Sequence, residues 1–293
     1  MSKKIHVVIN PASGQDQYIL NTINRVFREA EIAWEVSITQ TSGDASRFAA
    51  KAAAGDADIV AVFGGDGSVM EVAEGLMGTN IPLSILPGGT ANLMSVELGI
   101  PRKLEDAARV ACSPSSVVRK IDMGQTEKGK FMLRVGIGFP AEKVILADRD
   151  LKDKYGLAAY TIAALKAMGT TQVSSYHLNL DGEQVDIEGI ACRVDNSSNV
   201  GIPGISLASG TDVSDGYLDV LVWRDKDLDT LVSLAGGLAE HETISDAFHH
   251  WRAREITIET DTPQSIQGDG EVWGNTPISI KVLPGAMRVL VPK

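Results

Sequence analysis

Each apolar run in the first part of this chain stops at a glycine or a turn residue and gives way to helical spacing. That alternation is the strongest constraint on its fold. IHVVIN, AWEVSIT, DIVAVFG and PLSILPG are short and rich in β-branched residues, as buried strands are. Between them lie helical patterns. Gln15 to Ala30 places Ile19, Leu20, Ile23, Val26 and Phe27 on one face, and Ala45, Phe48, Ala49 and Ala52 form a second such face. Val69, Val72, Ala73, Leu76 and Met77 form a third, and a further helix is expected near Ala91–Leu98. Continuously apolar strands alternating with helices predict an α/β domain with a parallel sheet covered on both faces.

After about Ile121 the texture changes. Turn dipeptides stand at Asp181-Gly182, Pro203-Gly204, Asp215-Gly216, Asp269-Gly270 and Pro284-Gly285. HLNL, QVDIEGIACRV, YLDVLVW, EITIET, ISIKVL and MRVLV lie among them and read as antiparallel strands. Helical patterns interrupt near Gly156–Met168 and Asp227–Glu240. The 293 residues therefore divide into an α/β domain, 1–121, and a β-rich domain, 122–283.

Composition narrows the function. A net charge of −11 argues against broad nucleic-acid binding, which needs a basic footprint. The two cysteines, Cys112 and Cys192, make neither a disulfide framework nor a metal-binding spacing; they read as buried small hydrophobes of a cytoplasmic protein. Asn10-Pro11 breaks the only apolar stretch near the N-terminus, so no signal peptide is expected. No run approaches the ~18 apolar residues of a membrane span, and a membrane would be met only at its surface.

Three loops leave strand ends with unusual chemistry: Asn10-Pro11-Ala12-Ser13-Gly14, Gly64-Gly65-Asp66-Gly67-Ser68 and Gly88-Gly89-Thr90-Ala91-Asn92. In an open parallel sheet, ligands sit beyond the carboxyl ends of the strands, so all three are expected on one edge. Glycines let backbone N–H groups approach a phosphate, and a helix N-terminus favours its charge. Neither the P-loop nor the G-x-G-x-x-G fingerprint is present. Asp66 among the glycines has three readings: it holds a cation, positions a ligand hydroxyl, or anchors the loop. The set predicts a nucleotide-phosphate site.

NPASG, FGGDGSVMEVAEGL and LPGGTANLMSVELGIP, in this order, resemble the diacylglycerol kinase catalytic-domain family, which includes soluble bacterial lipid kinases, sphingosine kinases and ceramide kinases. FMLRVGIGFPA from Phe131, SDGYLD from Ser214 and QGDGE from Gln267 extend the resemblance over nearly the whole chain. The GGDG stretch alone is shared with NAD kinases. The resemblance implies a nucleotide domain, a sandwich-like β domain with the active site in the cleft between them, and a last strand, about 284–293, that returns to the first domain. It implies nucleotide contacts at Asn10, Thr41, Gly64, Gly65, Asp66, Gly67, Gly89, Thr90 and Asn92. From sequence alone Thr41 reads equally well as a helix cap.

The resemblance also implies that Asp269 takes the proton of the acceptor hydroxyl, with Glu271 beside it. Asp66 is a rival for that role and otherwise a nucleotide or magnesium organiser. Asp215 is implied in a magnesium site outside the nucleotide, though Asp-Gly is also a plain turn. The implied activity is ATP- and magnesium-dependent phosphoryl transfer to a lipid hydroxyl at a membrane surface. Diacylglycerol is the leading acceptor, with a sphingoid base, ceramide or another lipid alcohol as alternatives. An NAD-kinase-like enzyme and a silent nucleotide binder are the rival functions; a homodimer stays open. Leu93, Leu133 and Pro140 stand where relatives carry an acid, Asn and Asp, and Met70-Glu71 stands for Asn-Glu. These departures bear on the acceptor. His249-His250-Trp251 reads as packing, and Lys143, Arg149, Lys152 and Lys154, interleaved with acids, as a solvated face.

Overall fold

The computed structural model describes residues 3–14, 18–138, 173–199, 208, 210–224 and 248–293. The helical patterns near Gly156–Met168 and Asp227–Glu240, the basic stretch from Lys143 to Lys154, Pro140 and the Pro203-Gly204 turn lie outside these residues. Among the described residues, those of Met1–Ile121 and Gly285–Lys293 form one compact unit. Those of Asp122–Val200 and Gly204–Pro284 form another.

The first unit runs β1 (Lys4–Ile9), α1 (Ile19–Glu29), β2 (Ala33–Ile38), α2 (Asp44–Ala54), β3 (Ile59–Gly64), α3 (Asp66–Leu76), β4 (Leu83–Pro87), α4 (Leu93–Glu97) and α5 (Leu104–Cys112). Its strands pair in parallel in the order β2-β1-β3-β4. β3 and β4 are buried along their whole length, which is why they read as unbroken apolar runs. Right-handed crossovers put α1 on one face and α2 and α3 on the other; α1 packs with α5, and α2 with α3. The second contact is close because the facing residues are small: a Cβ on Gly75 would stand 2.3 Å from the Ser46 carbonyl oxygen.

Three expectations for this unit need correction. β2 is the sheet edge, and its Val36 and Ile38 are exposed rather than covered. Leu20 is exposed, because the buried stripe of α1 runs through Ile23, Val26 and Phe27. α5 was not anticipated: its buried stripe is mostly alanine, at Ala107, Ala108 and Ala111, which gives a weak apolar signal. Arg25 of α1 and Arg109 of α5 both bind Glu105, and they hold its carboxyl at about 2.

The second unit is a β-sandwich. Its strands are the rest of β5 (Val117–Thr126), β6 (Lys130–Phe131), β7 (Arg134–Ile137), β8 (Ser174–Leu180), β9 (Glu183–Gly189), β10 (Ala191–Asp195), β11 (Leu218–Trp223), β12 (Phe248–Ala253), β13 (Glu255–Thr260), β14 (Ser265–Gly268), β15 (Glu271–Asn275) and the start of β16 (Ile278–Val291). One antiparallel sheet has the order β12-β11-β10-β7-β14-β15; the other aligns β9, β8, β13 and β16. Val194, Val220 and Ile266 from the first sheet and Leu178, Ile256 and Ile280 from the second share one core. Every second residue of these strands points inward, as the pleat requires.

β16 overturns one turn expectation. Pro284-Gly285 does not separate two strands; β16 continues through it, with Gly285 at φ 58°. Its first residues pair with β13, and Val289 near its end pairs with Leu83 of β4. His249-His250-Trp251 belongs to a strand, β12. Cys192 is in the sandwich core and Cys112 is half-buried at the end of α5. Burial raises both thiols, Cys112 to about 11, so neither is a ready nucleophile. Among the described residues no helix is long and apolar enough to cross a membrane.

Candidate active site

The register of the parallel sheet brings the loops to one edge. Ile9 pairs with Phe63 and Gly64 with Pro87, so β1, β3 and β4 end level. Backbone bonds then tie each loop to its neighbour: Asn10 N–H donates to the Phe63 carbonyl and Gly88 N–H to the Gly64 carbonyl, each at 2.9 Å. The Asn10 amide donates to Ser68 Oγ at 2.9 Å, while its Oδ1 accepts from Ala12 N–H at 3.0 Å.

The glycines make this contact possible. A Cβ on Gly89 would stand 2.6 Å from the Cα of Gly65, and one on Gly64 would stand 2.5 Å from the Cβ of Ser68. No rearrangement of a side-chain tip would relieve either clash. Gly67 differs: among the described residues a Cβ there meets nothing within 4 Å, and its φ is not left-handed. Packing among the described residues gives no reason for that glycine.

Asp66 takes the third of its three readings. Its Oδ2 accepts from Leu93 N–H at 3.1 Å and its Oδ1 from Met94 N–H at 3.2 Å. The acid of the second loop thus caps the helix that follows the third. Asn92 enters that helix in the left-handed region at φ 49° and exchanges two hydrogen bonds with Gly89. Thr90 is exposed in the same loop. α3 opens at Gly65 with no side chain capping it, so its first N–H groups remain available to an anion.

Thr41 does not cap α2. The N-cap is Gly43, and the acceptor is Glu71 of α3, which takes the N–H groups of Gly43 and Ala45 and faces the Ser42 hydroxyl. Thr41 is exposed, and its N–H donates to Asp44. Arg47 and the N–H groups of Gln40 and Thr41 hold the Asp44 carboxyl at about 2. The partners of Ser68 and Glu71 were not legible from sequence; a helix opening on Gly43 without a Ser, Thr or Asn cap was the available sign of a remote acceptor.

The second unit carries the QGDGE segment on the β14–β15 hairpin. Asp269 and Gly270 have φ values of 45° and 93°, the geometry of a tight Asp-Gly hairpin turn. The Asp269 carboxylate accepts from the backbone of Met132, Leu133 and Arg134 at 2.8 to 3.3 Å, and its own N–H donates to the Arg134 carbonyl. Burial pushes the carboxyl up to about 6, against the pull of these N–H donors. Glu271, two residues on, is exposed. A Cβ on Gly268 would stand 2.1 Å from the Trp273 ring, which seats the hairpin.

A polar segment missed in the sequence completes this arrangement. Arg193, Asp195, Asn196, Ser197, Ser198 and Asn199 are all buried. Asn196 donates its amide to the carbonyls of Asp122 and Met132, and the N–H groups of Asn196 and Ser197 both reach the Leu133 carbonyl. Asp269 therefore holds the N–H groups of residues 132–134 and Asn196 helps hold their carbonyls. Leu133 itself is buried, an apolar side chain on a clamped backbone. Polar residues crowded after the end of β10 were the available signal.

Asp215 is already engaged. Its Oδ1 accepts from Tyr217 N–H at 2.9 Å, and its Oδ2 binds Nη2 of Arg252. Among the described residues no three His, Cys, Asp or Glu side chains converge to hold a metal ion. Among the described residues, a magnesium ion at this turn would have to compete with Arg252 for the Asp215 carboxylate.

A parallel sheet ending in three glycine loops, with a β-sandwich bearing an acidic hairpin, defines the two-domain fold. Residues 4–126 match the diacylglycerol kinase catalytic domain, and residues 134–291 match the YegS C-terminal NAD kinase beta sandwich-like domain. A putative lipid kinase of Streptococcus pneumoniae is 30% identical over 99% of this chain and 97% of its own length. A diacylglycerol kinase of Bacillus subtilis is 26% identical over 99% and 97%. The crystal structure of a putative diacylglycerol kinase from Bacillus anthracis superposes with a TM-score of 0.83 at 26% identity, covering 99% of this chain and 97% of that one. The chain belongs to the diacylglycerol kinase and YegS-like lipid kinase family and is a kinase phosphotransferase.

Proposed function

We propose that this kinase transfers the γ-phosphoryl group of ATP to a hydroxyl of a lipid acceptor, with diacylglycerol first among acceptors. The observation that carries this is the single network joining the three loops, with Gly67 open beside an uncapped helix start. That edge offers backbone N–H groups to phosphates, and family membership supports ATP as the nucleotide. Magnesium would enter with the nucleotide and neutralise charge on its phosphates.

Within QGDGE the two acids have different surroundings. A carboxylate has about four lone-pair sites, and three backbone N–H groups, one of them shared between both oxygens, already engage Asp269. Asp181, at the tip of the β8–β9 hairpin, does the same structural work on Arg254 and Glu255. We assign Asp269 to positioning and the exposed Glu271 to receiving the acceptor proton.

Transfer of labelled γ-phosphate from ATP to diacylglycerol, monoacylglycerol, ceramide, sphingosine and phosphatidylglycerol in mixed micelles tests the reading, with NAD as soluble control. Label in diacylglycerol is expected. Label in NAD alone would overturn it, and label in another lipid would move the acceptor.

A further inference from the structure

Arg252 stands on β12 directly across from Asp219 of β11 in the sheet register. From there its guanidinium reaches both acids of the SDGYLD segment. Nη2 binds Asp215 Oδ2, and Nε lies 3.9 Å from Asp219 Oδ1. The same guanidinium covers the Tyr217 ring at 4.8 Å from its centroid, and Arg254 approaches that ring at 4.6 Å. Asp219 is buried and also bonded to His250 Nε2 at 2.6 Å. The turn is closed from within by Tyr217 N–H on Asp215 Oδ1 and by Gly216 N–H on Asp122 Oδ2.

We propose that the guanidinium of Arg252 is the built-in cation of the Asp215 turn, serving where a divalent ion would otherwise be recruited, so that this turn is held without magnesium. Magnesium needs an octahedron of oxygens at close range and keeps most of its waters. Here one carboxylate oxygen of Asp215 faces a backbone N–H and the other a permanent positive charge. A divalent ion would have to displace the guanidinium or sit against it. Arginine suits the post because its guanidinium binds one carboxylate and stands near a second while its face stacks on an aromatic ring. Lysine would supply charge without that geometry.

The inference goes beyond the acceptor assignment, and its test uses neither nucleotide nor lipid. The nucleotide-free protein is titrated with Mn2+ and followed by electron paramagnetic resonance, beside Asp215→Asn. Thermal unfolding is measured in EDTA and in millimolar Mg2+ for the native protein, Arg252→Ala and Arg252→Lys. No Mn2+ site dependent on Asp215 is expected. The native midpoint should move by less than about 1 °C between EDTA and Mg2+, and Arg252→Ala should melt roughly 2–4 °C lower. Arg252→Lys should fall between them. An Mn2+ site in the native protein that Asp215→Asn abolishes would overturn the proposal, as would an Arg252→Ala variant that melts with the native protein. If Arg252→Ala does not fold, the native Mn2+ titration still decides.

Discussion

Met94 donates its backbone N–H to Oδ1 of Asp66 across 3.2 Å, tying together two loops that lie 28 positions apart in the chain. With Leu93 N–H on the other oxygen, the carboxylate supplies the cap that α4 lacks locally. Asp66→Ala should cost about 1 kcal/mol in urea unfolding, the usual value of a lost helix cap. It should also weaken ATP binding about tenfold in calorimetry, because the Gly88–Asn92 loop loses its tether. Asp66→Asn retains one acceptor oxygen and should fall between. Native ATP affinity in the alanine variant would show that the loops do not act as one site.

Gly67 and Gly89 separate packing from ligand approach. Alanine at Gly89 would meet the Gly65 Cα at 2.6 Å, so Gly89→Ala should destabilise the protein by roughly 1–3 kcal/mol through overpacking. Alanine at Gly67 enters open space in the first turn of α3, where it should leave stability unchanged or raise it by roughly 0.5–1 kcal/mol. If ATP phosphates approach this backbone, Gly67→Ala nevertheless lowers ATP affinity. Paired unfolding and binding measurements check both halves, and an unaltered affinity in Gly67→Ala would remove the phosphates from this edge.

The acidic hairpin predicts a split between stability and turnover. Asp269→Asn places an NH2 group against backbone donors that now face a carboxylate, and should cost about 2–3 kcal/mol. Glu271 is exposed, so Glu271→Gln should stay within about 0.5 kcal/mol of native stability. Its kcat should fall by about 10²–10⁴ as the proton acceptor is lost. A Glu271→Gln variant with native kcat would return the base role to Asp269.

What the sequence made legible follows from how each feature is encoded. The parallel sheet was visible because β3 and β4 are buried on both sides and spell their burial in unbroken apolar letters. The loops were visible because close backbone contact demands glycine, as Gly65 and Gly89 show. Partnerships between distant residues were not visible. Nothing local in GGDGS says that Asp66 faces Leu93 and Met94, and nothing in SDGYLD says that Arg252 lies across the sheet from it. The acid at position 269 reads identically as hairpin turn and as catalytic carboxylate, because Asp-Gly satisfies the turn either way. α5 escaped notice because alanine buries little surface, and β12 because two histidines and a tryptophan obscure its alternation.

His177 offers a pH test of the sandwich. It pairs across strands with Asp186, its Nδ1 lying 2.7 Å from the carboxylate, and its Nε2 reaches Asp261 at 3.1 Å. Both acids favour the imidazolium, so the folded protein holds the proton to a higher pH than the unfolded chain, and the His177 pKa is raised above 6.5. The sign follows: the native state binds more protons in this window, so stability falls as pH rises. The contribution is fully present below the unfolded value and is lost as pH climbs through the raised folded one. Solvent screens this exposed cluster, so the effect should shrink with added salt. Urea midpoints of the native protein and His177→Gln, compared from pH 5.5 to 9 at low ionic strength, should differ most at the acid end and converge at the alkaline end. A gap that stays constant with pH would mean that His177 acts by packing alone.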